Sequence, residues 1–325
     1  MTGRVRRKVA VLAVLLSAVT VAACGDSSTD SGDSARSGAA AHAAADKLIA
    51  QAIATNPAAD AARISGSVDV NVLGGRQPLT GKTQITADGT YDLPSGASVP
   101  DLDIDVGLSH AGQALGGAIV LADQTGFIRL GPAGYKIPGS ISRRIVEPAE
   151  LADNGLTKTG AMFFINPHDW QRNAKVVGET TLRGERVQHI TADIDAEAFF
   201  LDLSRMVRFL RRLNITEALG LPNALGPKMV AALARSVTVA RGEAWIGTDD
   251  HVLRKAKAHG ELVVASRDRK LLFGIRSAKL DANLDITELG DVAPISAPKH
   301  VNSYSSLQLA LDALGEYVRR LVRGT

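Results

Sequence analysis

Much of the chain alternates apolar and polar residues with a period of two. In residues 64–72 the isoleucine and valine side chains share one face, and serine, aspartate and asparagine share the other. This pattern is typical of antiparallel strands with one buried and one solvated face. It predicts strands over residues 64–72, 83–93, 101–109, 116–122, 125–131, 175–182, 186–194, 242–249, 251–264 and 270–286.

Other segments have apolar residues at helical spacing. The first covers residues 45–55 and is ended by Pro57, and the longest covers residues 195–213, where Asp195 is a suitable N-cap. Another helix is predicted to begin with Pro227 in its first turn. Predicted strands lie both before and after this helical block, so the simplest architecture is one large sheet with helices packed against it.

A sheet of about ten strands accumulates twist and must curl or close. We therefore predict an α+β fold in which a single large curved antiparallel sheet, a half-barrel, has helices covering its apolar concave face. Alternating βαβ units are missing from the pattern, which disfavours a doubly wound fold.

The N-terminal residues have the features of a bacterial export signal. Residues 1–8 contain four basic and no acidic residues, and residues 9–21 are apolar but too few to span a bilayer. We predict a signal peptide over residues 1–23. The Val-Ala-Ala-Cys stretch that ends at Cys24 resembles the lipoprotein box, in which this cysteine becomes the acylated first residue of the mature chain. The alternatives are a plain secreted protein and an uncleaved N-terminal anchor.

This interpretation places the protein on the extracytoplasmic face of the cell membrane, held there by a lipid anchor. Residues 24–45 contain Cys24 and a stretch without large apolar side chains, which we expect to be a flexible tether. The half-barrel domain is expected to cover residues 46–298, and residues 299–325 a linker and a C-terminal helix. Because Cys24 is the only cysteine, no intramolecular disulfide can form.

Charge and composition argue against a nucleic-acid partner. The net charge is +3, and the first 23 residues supply four positive charges and no negative one, which leaves the remainder near −1. Nucleic-acid binders instead neutralise phosphates with a surplus of Lys and Arg. Aromatic residues are only 4% of the chain, so stacking platforms for bases are not expected either.

Catalytic and metal-binding motifs are absent from the sequence. It has neither a GxSxG elbow nor an SxxK motif, and its seven histidines show no HxxxH or HxH spacing. Three acids alternate along residues 101–105, where a solvated strand face explains them better than a calcium site, whose ligands converge from a loop. We therefore expect no enzyme activity, metal or cofactor.

The helix predicted over residues 195–213 carries an apolar stripe wider than one packed face needs. Much of the stripe must belong to the core, but a curved apolar sheet beneath such a helix can also enclose a cavity for an acyl chain. The candidate cavity residues are Ile64, Val68, Val70, Ile104 and Val106 on strands and Phe199, Phe200, Leu203, Met206, Val207 and Leu210 on the helix.

Three stretches carry a family resemblance. Residues 169–199 place a Trp before a V-G-E-T-x-x-x-G hairpin and lead through Asp-Ile-Asp into the long helix. Residues 242–264 contain W-I-G-x-D-D, and residues 284–298 close the pattern. Together they resemble actinobacterial lipoproteins of the LppX/LprG kind, which share the LolA-like half-barrel, over about residues 63–298.

The resemblance implies a protein that binds a lipid or glycolipid in an apolar cavity between sheet and helices, and that in some members carries it across the cell envelope. The alternatives are a non-enzymatic envelope sensor that binds another envelope protein through the half-barrel, and a filled core without a ligand. The resemblance transfers no individual binding residue, because the family's pockets are lined by variable apolar side chains.

The chain continues beyond the family pattern with an amphipathic segment. From Leu307 onward apolar residues recur at three- and four-residue steps, and Arg319, Arg320 and Arg323 lie on the polar face. This predicts a C-terminal helix that either packs on the domain or docks on an anionic membrane or a partner.

Overall fold

The computed structural model describes residues 33–54, 60–75, 80–95, 97, 99–110, 112–150, 167–212, 225–306 and 309. Within these ranges the helices are α1 (Asp33–Ala54), α2 (Gly139–Glu150), α3 (Ala196–Arg212) and α4 (Pro227–Ser236), and a 3₁₀ turn covers Pro167–Trp170. The strands are β1 (Ala61–Gly74), β2 (Gly81–Asp92), β3 (Asp101–His110), β4 (Gln113–Ala122), β5 (Thr125–Leu130), β6 (Ala133–Lys136), β7 (Gln171–Leu182), β8 (Glu185–Ile194), β9 (Val237–Gly247), β10 (Leu253–Val263), β11 (Ile275–Thr287) and β12 (Val301–Asn302).

These strands form one 12-stranded sheet in the order β12-β6-β5-β4-β3-β2-β1-β11-β10-β9-β8-β7. Every pairing is antiparallel except the short one between β12 and β6, which is parallel. The sheet is open and curved, and its helices are few. The predicted α+β fold with a single large half-barrel sheet is confirmed.

The period-two pattern separates an apolar face from a polar face of the sheet. Val68 of β1 pairs with Ile85 of β2 on one side and with Ala282 of β11 on the other, and all three are buried. The next position along β1, Asp69, pairs with Gln84 and Asp281, which are half-buried or exposed. The registers therefore place the apolar residues of neighbouring strands side by side.

The apolar face is covered by different helices at its two ends. We call the group of side chains beneath α1 the first core cluster and the group beneath α3 and α4 the second core cluster. The buried members of the first are Ala45, Ile49, Ala52, Ala62, Tyr91, Val99, Leu102, Leu121, Val146, Ala174, Ile190, Ala192, Ala244, Ile246, Leu253, Ala256, Leu284 and Ile286. The buried members of the second are Val68, Val70, Val72, Ile85, Trp170, Leu203, Val207, Leu225, Val230 and Ala282.

Helix α1 begins at Asp33, well before residue 46, where the half-barrel domain was predicted to start. Residues 33–45, which we expected to be flexible, are helical, and Ala45 is fully buried in the first core cluster. His42 Nδ1 also lies 2.5 Å from the carbonyl oxygen of Ala174 in β7. Alanine has the highest helix propensity, so an alanine-rich stretch without large side chains extends a helix once its end is docked.

Two further boundaries differ from the predicted ones. Strand β12 adds Val301 and Asn302 to the sheet, so the sheet continues past residue 298. Residues 270–274 form a turn rather than the start of β11, because Phe273 and Gly274 adopt positive φ angles of 56° and 83°, which end an extended strand. Of the C-terminal helix predicted from Leu307 onward, the structure describes only Leu309. Cys24 also lies outside the described residues.

Alkaline pH should destabilise the protein through Tyr91. Burial raises the pKa of this phenol well above its ordinary value of 10.0, and the nearby charge of Asp60 adds to the effect. Above pH 10 the unfolded state loses the phenol proton while the folded state keeps it, so the free energy of unfolding falls as pH rises, by up to about 1.4 kcal/mol per pH unit.

We expect the free energy of unfolding of Tyr91→Phe, measured by urea denaturation between pH 8 and 11, to fall less steeply than that of the wild type. Phe127→Leu, which changes a buried ring that carries no titratable group, is the control and should keep the wild-type slope. Parallel slopes for Tyr91→Phe and the wild type would contradict this assignment.

Candidate functional site

Helix α3 begins at a side-chain cap. The Asp195 carboxylate Oδ1 accepts hydrogen bonds from the backbone N–H groups of Glu197 at 3.0 Å and Ala198 at 3.2 Å, which confirms the predicted N-cap. The N–H of Asp195 donates to the carbonyl oxygen of Trp170 at 2.6 Å, and Arg172 forms an ion pair with the carboxylate. These contacts fix where α3 leaves the end of β8 and crosses the apolar face.

A buried polar contact holds α3 against the 3₁₀ turn that leads into β7. Trp170 Nε1 donates a hydrogen bond to Asp202 Oδ2 at 3.0 Å, and both side chains are almost fully buried. Arg205, one turn further along α3, pairs with the other carboxylate oxygen of Asp202. A buried carboxylate is tolerated only when it is paired and hydrogen-bonded, so this contact specifies the rotation of α3 about its axis.

The chain returning to α4 is tied to α3 by a hydroxyl group. Ser204 Oγ donates to the carbonyl oxygen of Leu225 at 2.9 Å, and Arg208 donates to Ser204 Oγ at 2.8 Å. Leu225 and Val230 are buried in the second core cluster together with Leu203 of α3. Helices α3 and α4 therefore form one layer above the sheet.

Aromatic rings line the start of this layer. Trp170 and Phe199 meet edge to face with their centroids 5.1 Å apart, and Phe199 meets Phe200 in the same way at 5.3 Å. Trp170 is buried, whereas the two phenylalanines are half-buried and pack against the second core cluster. Their rings are the largest apolar surfaces that α3 presents between helix and sheet among the described residues.

The structure divides the candidate cavity residues between the two clusters. Val68, Val70, Leu203 and Val207 are buried members of the second core cluster, and Phe199 and Phe200 pack against it. Ile64 and Ile104 pack instead against the first core cluster. Val106 is half-buried, and its register places it on the same face of β3 as Ile104 and Leu108, which pack against the two clusters. The side chains of Met206 and Leu210 lie outside what the structure describes.

The two clusters differ in how completely they are covered. Among the described residues, the first has 18 buried members and six partly buried apolar neighbours, whereas the second has ten of each. The second core cluster is therefore the less completely buried of the two. The partly buried residues of the second core cluster are Leu108, Ile194, Ala198, Phe199, Phe200, Met229, Ala258, Ile275, Ala278 and Leu280.

Several residues of this region were not among the sequence candidates. Ile85 and Leu280 lie on alternating strands, and Val230 lies at helical spacing in α4, so their patterns could have identified them. The contact between Trp170 and Asp202 joins residues far apart in sequence, so no local sequence pattern predicts it.

The polar face has a different chemistry. Arg129 of β5 donates to Asp103 at 3.0 Å and to Asp105 at 2.9 Å, so two of the three alternating acids of β3 are ion-paired. A groove of about 370 Å³ lies beside them, lined by Thr86, Asp88, Asp105, Val106, Gly107, Gly116, Gly117, Arg129 and Gly131. Within the described part of the chain, acidic, His and Cys side chains do not cluster in a way that could hold a metal ion.

His189, which the sequence places in mid-strand, belongs to a compact group on the polar face. Its ring stacks on Trp245 with centroids 4.6 Å apart, and its Nε2 lies 2.8 Å from Glu243 Oε2. Lys257 Nζ lies 5.6 Å from the centre of the Trp245 ring. The two direct neighbours of the histidine, Trp245 and Glu243, both lie on β9, and the contact with Glu243 is typical of a hydrogen-bonded surface histidine.

The helices that the structure describes include none with both the length and the apolar character needed to cross a bilayer. The sequence matches no protein-family model and no curated protein.

Among solved structures, the chain is similar to the lipoprotein LppX of Mycobacterium tuberculosis, with 14% identity and a TM-score of 0.36 over 78% of this chain and 99% of LppX. It is also similar to LprF from Mycobacterium bovis, with 10% identity and a TM-score of 0.36 over 81% of this chain and 97% of LprF. A third similar structure is MucB in complex with MucA, with 9% identity and a TM-score of 0.24 over 77% of this chain and 57% of MucB. LppX is of the lipoprotein kind that the three sequence stretches resemble.

Removing the buried carboxylate of Asp202 should loosen α3. Asp202→Ala leaves the Trp170 indole N–H without this acceptor, and we expect the free energy of unfolding to fall by about 3 kcal/mol. Asp202→Asn retains an acceptor oxygen and should cost less. The measurement is chemical denaturation followed by tryptophan fluorescence.

Asp249→Ala is the control, because Asp249 forms an exposed ion pair with Arg186 at 2.8 Å and its loss should cost less than about 1 kcal/mol. Equal losses for the Asp202→Ala and Asp249→Ala variants would show that the buried contact does not hold α3 in place.

Proposed function

We propose that the protein is an extracytoplasmic lipoprotein that binds a lipid or glycolipid between its curved sheet and the layer of α3 and α4. The observation that carries the proposal is the partial burial of the second core cluster, in which half of the described apolar residues are only partly buried. An acyl chain inserted there would remove this surface from water, and each buried methylene contributes about 0.8 kcal/mol.

The lining of this region also suits an acyl chain. Its described walls are apolar on the sheet side and carry the Phe199 and Phe200 rings on the helix side. Ligand sites of this kind are mostly apolar, with few polar groups. The ion-paired groove on the polar face lacks this character, so we place the lipid on the apolar face.

The N-terminal residues support an extracytoplasmic location for the protein. Cys24 follows an export leader in a lipoprotein box, and its acylation would hold the domain at the extracytoplasmic surface of the membrane. The sequence resemblance further suggests that the protein carries the bound lipid across the cell envelope. A role as a sensor that binds another envelope protein is the alternative that the first experiment below separates from lipid binding.

Native mass spectrometry of residues 25–325 mixed with phosphatidylglycerol or a phosphatidylinositol mannoside tests the ligand. We expect a one-to-one complex, and Phe200→Ser should weaken it roughly tenfold because a buried aromatic side chain contributes about 1.5 kcal/mol or more.

The matched control is Leu201→Ser, since Leu201 is the next residue of α3 and is 43% exposed. It should bind lipid as the wild type does. A wild-type chain that is isolated bare and never takes up either lipid would overturn the carrier proposal and favour the sensor. Circular dichroism melts show whether each variant is folded.

Acylation is tested separately by metabolic labelling with a fatty-acid probe. The wild-type chain should be labelled and should remain with the membrane fraction, whereas Cys24→Ala should not be labelled. Equal labelling of the two proteins would remove the anchor from the proposal without affecting lipid binding by the domain.

A further inference from the structure

Exposed apolar side chains collect at the end of the sheet where β1 ends and β10 turns into β11. Among the described residues, Leu73, Val263 and Leu271 are 57%, 58% and 38% exposed. Leu73 and Val263 both pair with Ser277 of β11, one from each side, so they lie two strands apart, or about 10 Å. Leu271 belongs to the turn that joins β10 to β11. We call these three residues with the basic side chains of that turn the apolar–basic rim.

The turn that carries Leu271 is anchored to the domain. Leu272 and Val264 are buried against Ala232 of α4. The guanidinium of Arg269 donates to the carbonyl oxygen of Val264 at 3.2 Å. Leu271 therefore projects from an ordered turn, and its exposure needs no conformational change.

Positive charge surrounds the exposed apolar residues. Residues 264–276 contain four basic residues and one acidic residue, Asp268. Asp268 is largely buried and lies 3.5 Å from Arg235 of α4 and 3.6 Å from Arg267, so this one carboxylate is shared between two cations and positive charge remains in excess. Arg267 is 78% exposed, Lys270 is exposed, and the Arg276 side chain lies over Gly74 at the end of β1.

We infer that the apolar–basic rim docks on the anionic headgroup surface of a lipid bilayer. Apolar side chains that insert shallowly, ringed by Lys and Arg that reach phosphates, form the usual interfacial membrane contact. A second copy of the chain fits this rim poorly, because two identical basic surfaces would repel each other.

The buried group behind the turn is continuous with the proposed lipid site, whereas Leu73 and Val263 have the register of Asp69 and extend from the polar face of the sheet. Met229 and Ile275 pack against the second core cluster and also against the buried group of Val264 and Leu272. The inference goes beyond the proposed function, because surface docking needs neither a bound lipid nor the Cys24 anchor.

Co-sedimentation with vesicles tests the docking on acyl-free residues 25–325, which retain every described element. We expect binding in 0.1 M salt to vesicles of 30% phosphatidylglycerol in phosphatidylcholine, weaker binding in 0.5 M salt, and little binding to phosphatidylcholine alone. Leu271→Gln with Lys270→Gln should weaken binding at least tenfold.

The matched control is Leu201→Gln with Lys299→Gln, which changes an equally exposed leucine and an exposed lysine elsewhere. It should bind within about twofold of the wild type. Arg267→Gln with Lys270→Gln changes only exposed charges, so it keeps the test valid if the first variant unfolds.

The inference is overturned if the wild-type chain does not bind the anionic vesicles, or if the control loses as much binding as the rim variants. Sedimentation velocity without vesicles tests whether a second copy of the chain binds the rim instead of a membrane. A wild-type dimer that the rim variants abolish would assign the rim to self-association and would also overturn it. Phe200→Ser should leave vesicle binding unchanged, which separates failure of docking from failure of lipid uptake.

Discussion

The backbone ladder between β1 and β11 is the constraint on which the rest of the structure depends. In the sheet order, β1 to β6 lie on one side of this ladder with β12, and β7 to β11 lie on the other. The ladder runs from Arg63 opposite Thr287 to Gly74 opposite Ile275. A shift by one residue would turn Val68 and its neighbours to the polar face, so the burial of the apolar face fixes the register.

Once the two halves are joined, different helices cover different parts of the apolar face. The described residues beneath α1 are more completely buried than those beneath α3 and α4. Helix α1 contributes Ala45, Ile49 and Ala52 to a closely packed cluster. Helix α3 is held instead by the buried contact between Trp170 and Asp202 and by its cap. Polar contacts specify its position, and many of the described apolar residues around it are only partly buried, which is the surface that we assign to lipid.

Sequence patterns recovered most of the fold, because strand periodicity and helix periodicity are local. They predicted the alternating strands, the cap at Asp195 and the burial of Val68 and Val70, and these are confirmed. They missed the start of α1, since an alanine-rich stretch resembles a tether until a surface is available to bury Ala45. They also grouped Ile64 and Ile104 with the cavity, whereas packing assigns both to the first core cluster.

By itself the sequence determined the lone Cys24 and the two faces of the sheet, and it predicted the export leader, because each of these features lies in consecutive residues. Only the tertiary structure decided which strands are neighbours, how α3 is held by Asp202 and where exposed apolar residues meet basic ones. Leu73 and Val263 are remote in the chain and become neighbours through Ser277. The physical reason is that burial and charge act between surfaces, and surfaces exist only after distant segments have paired.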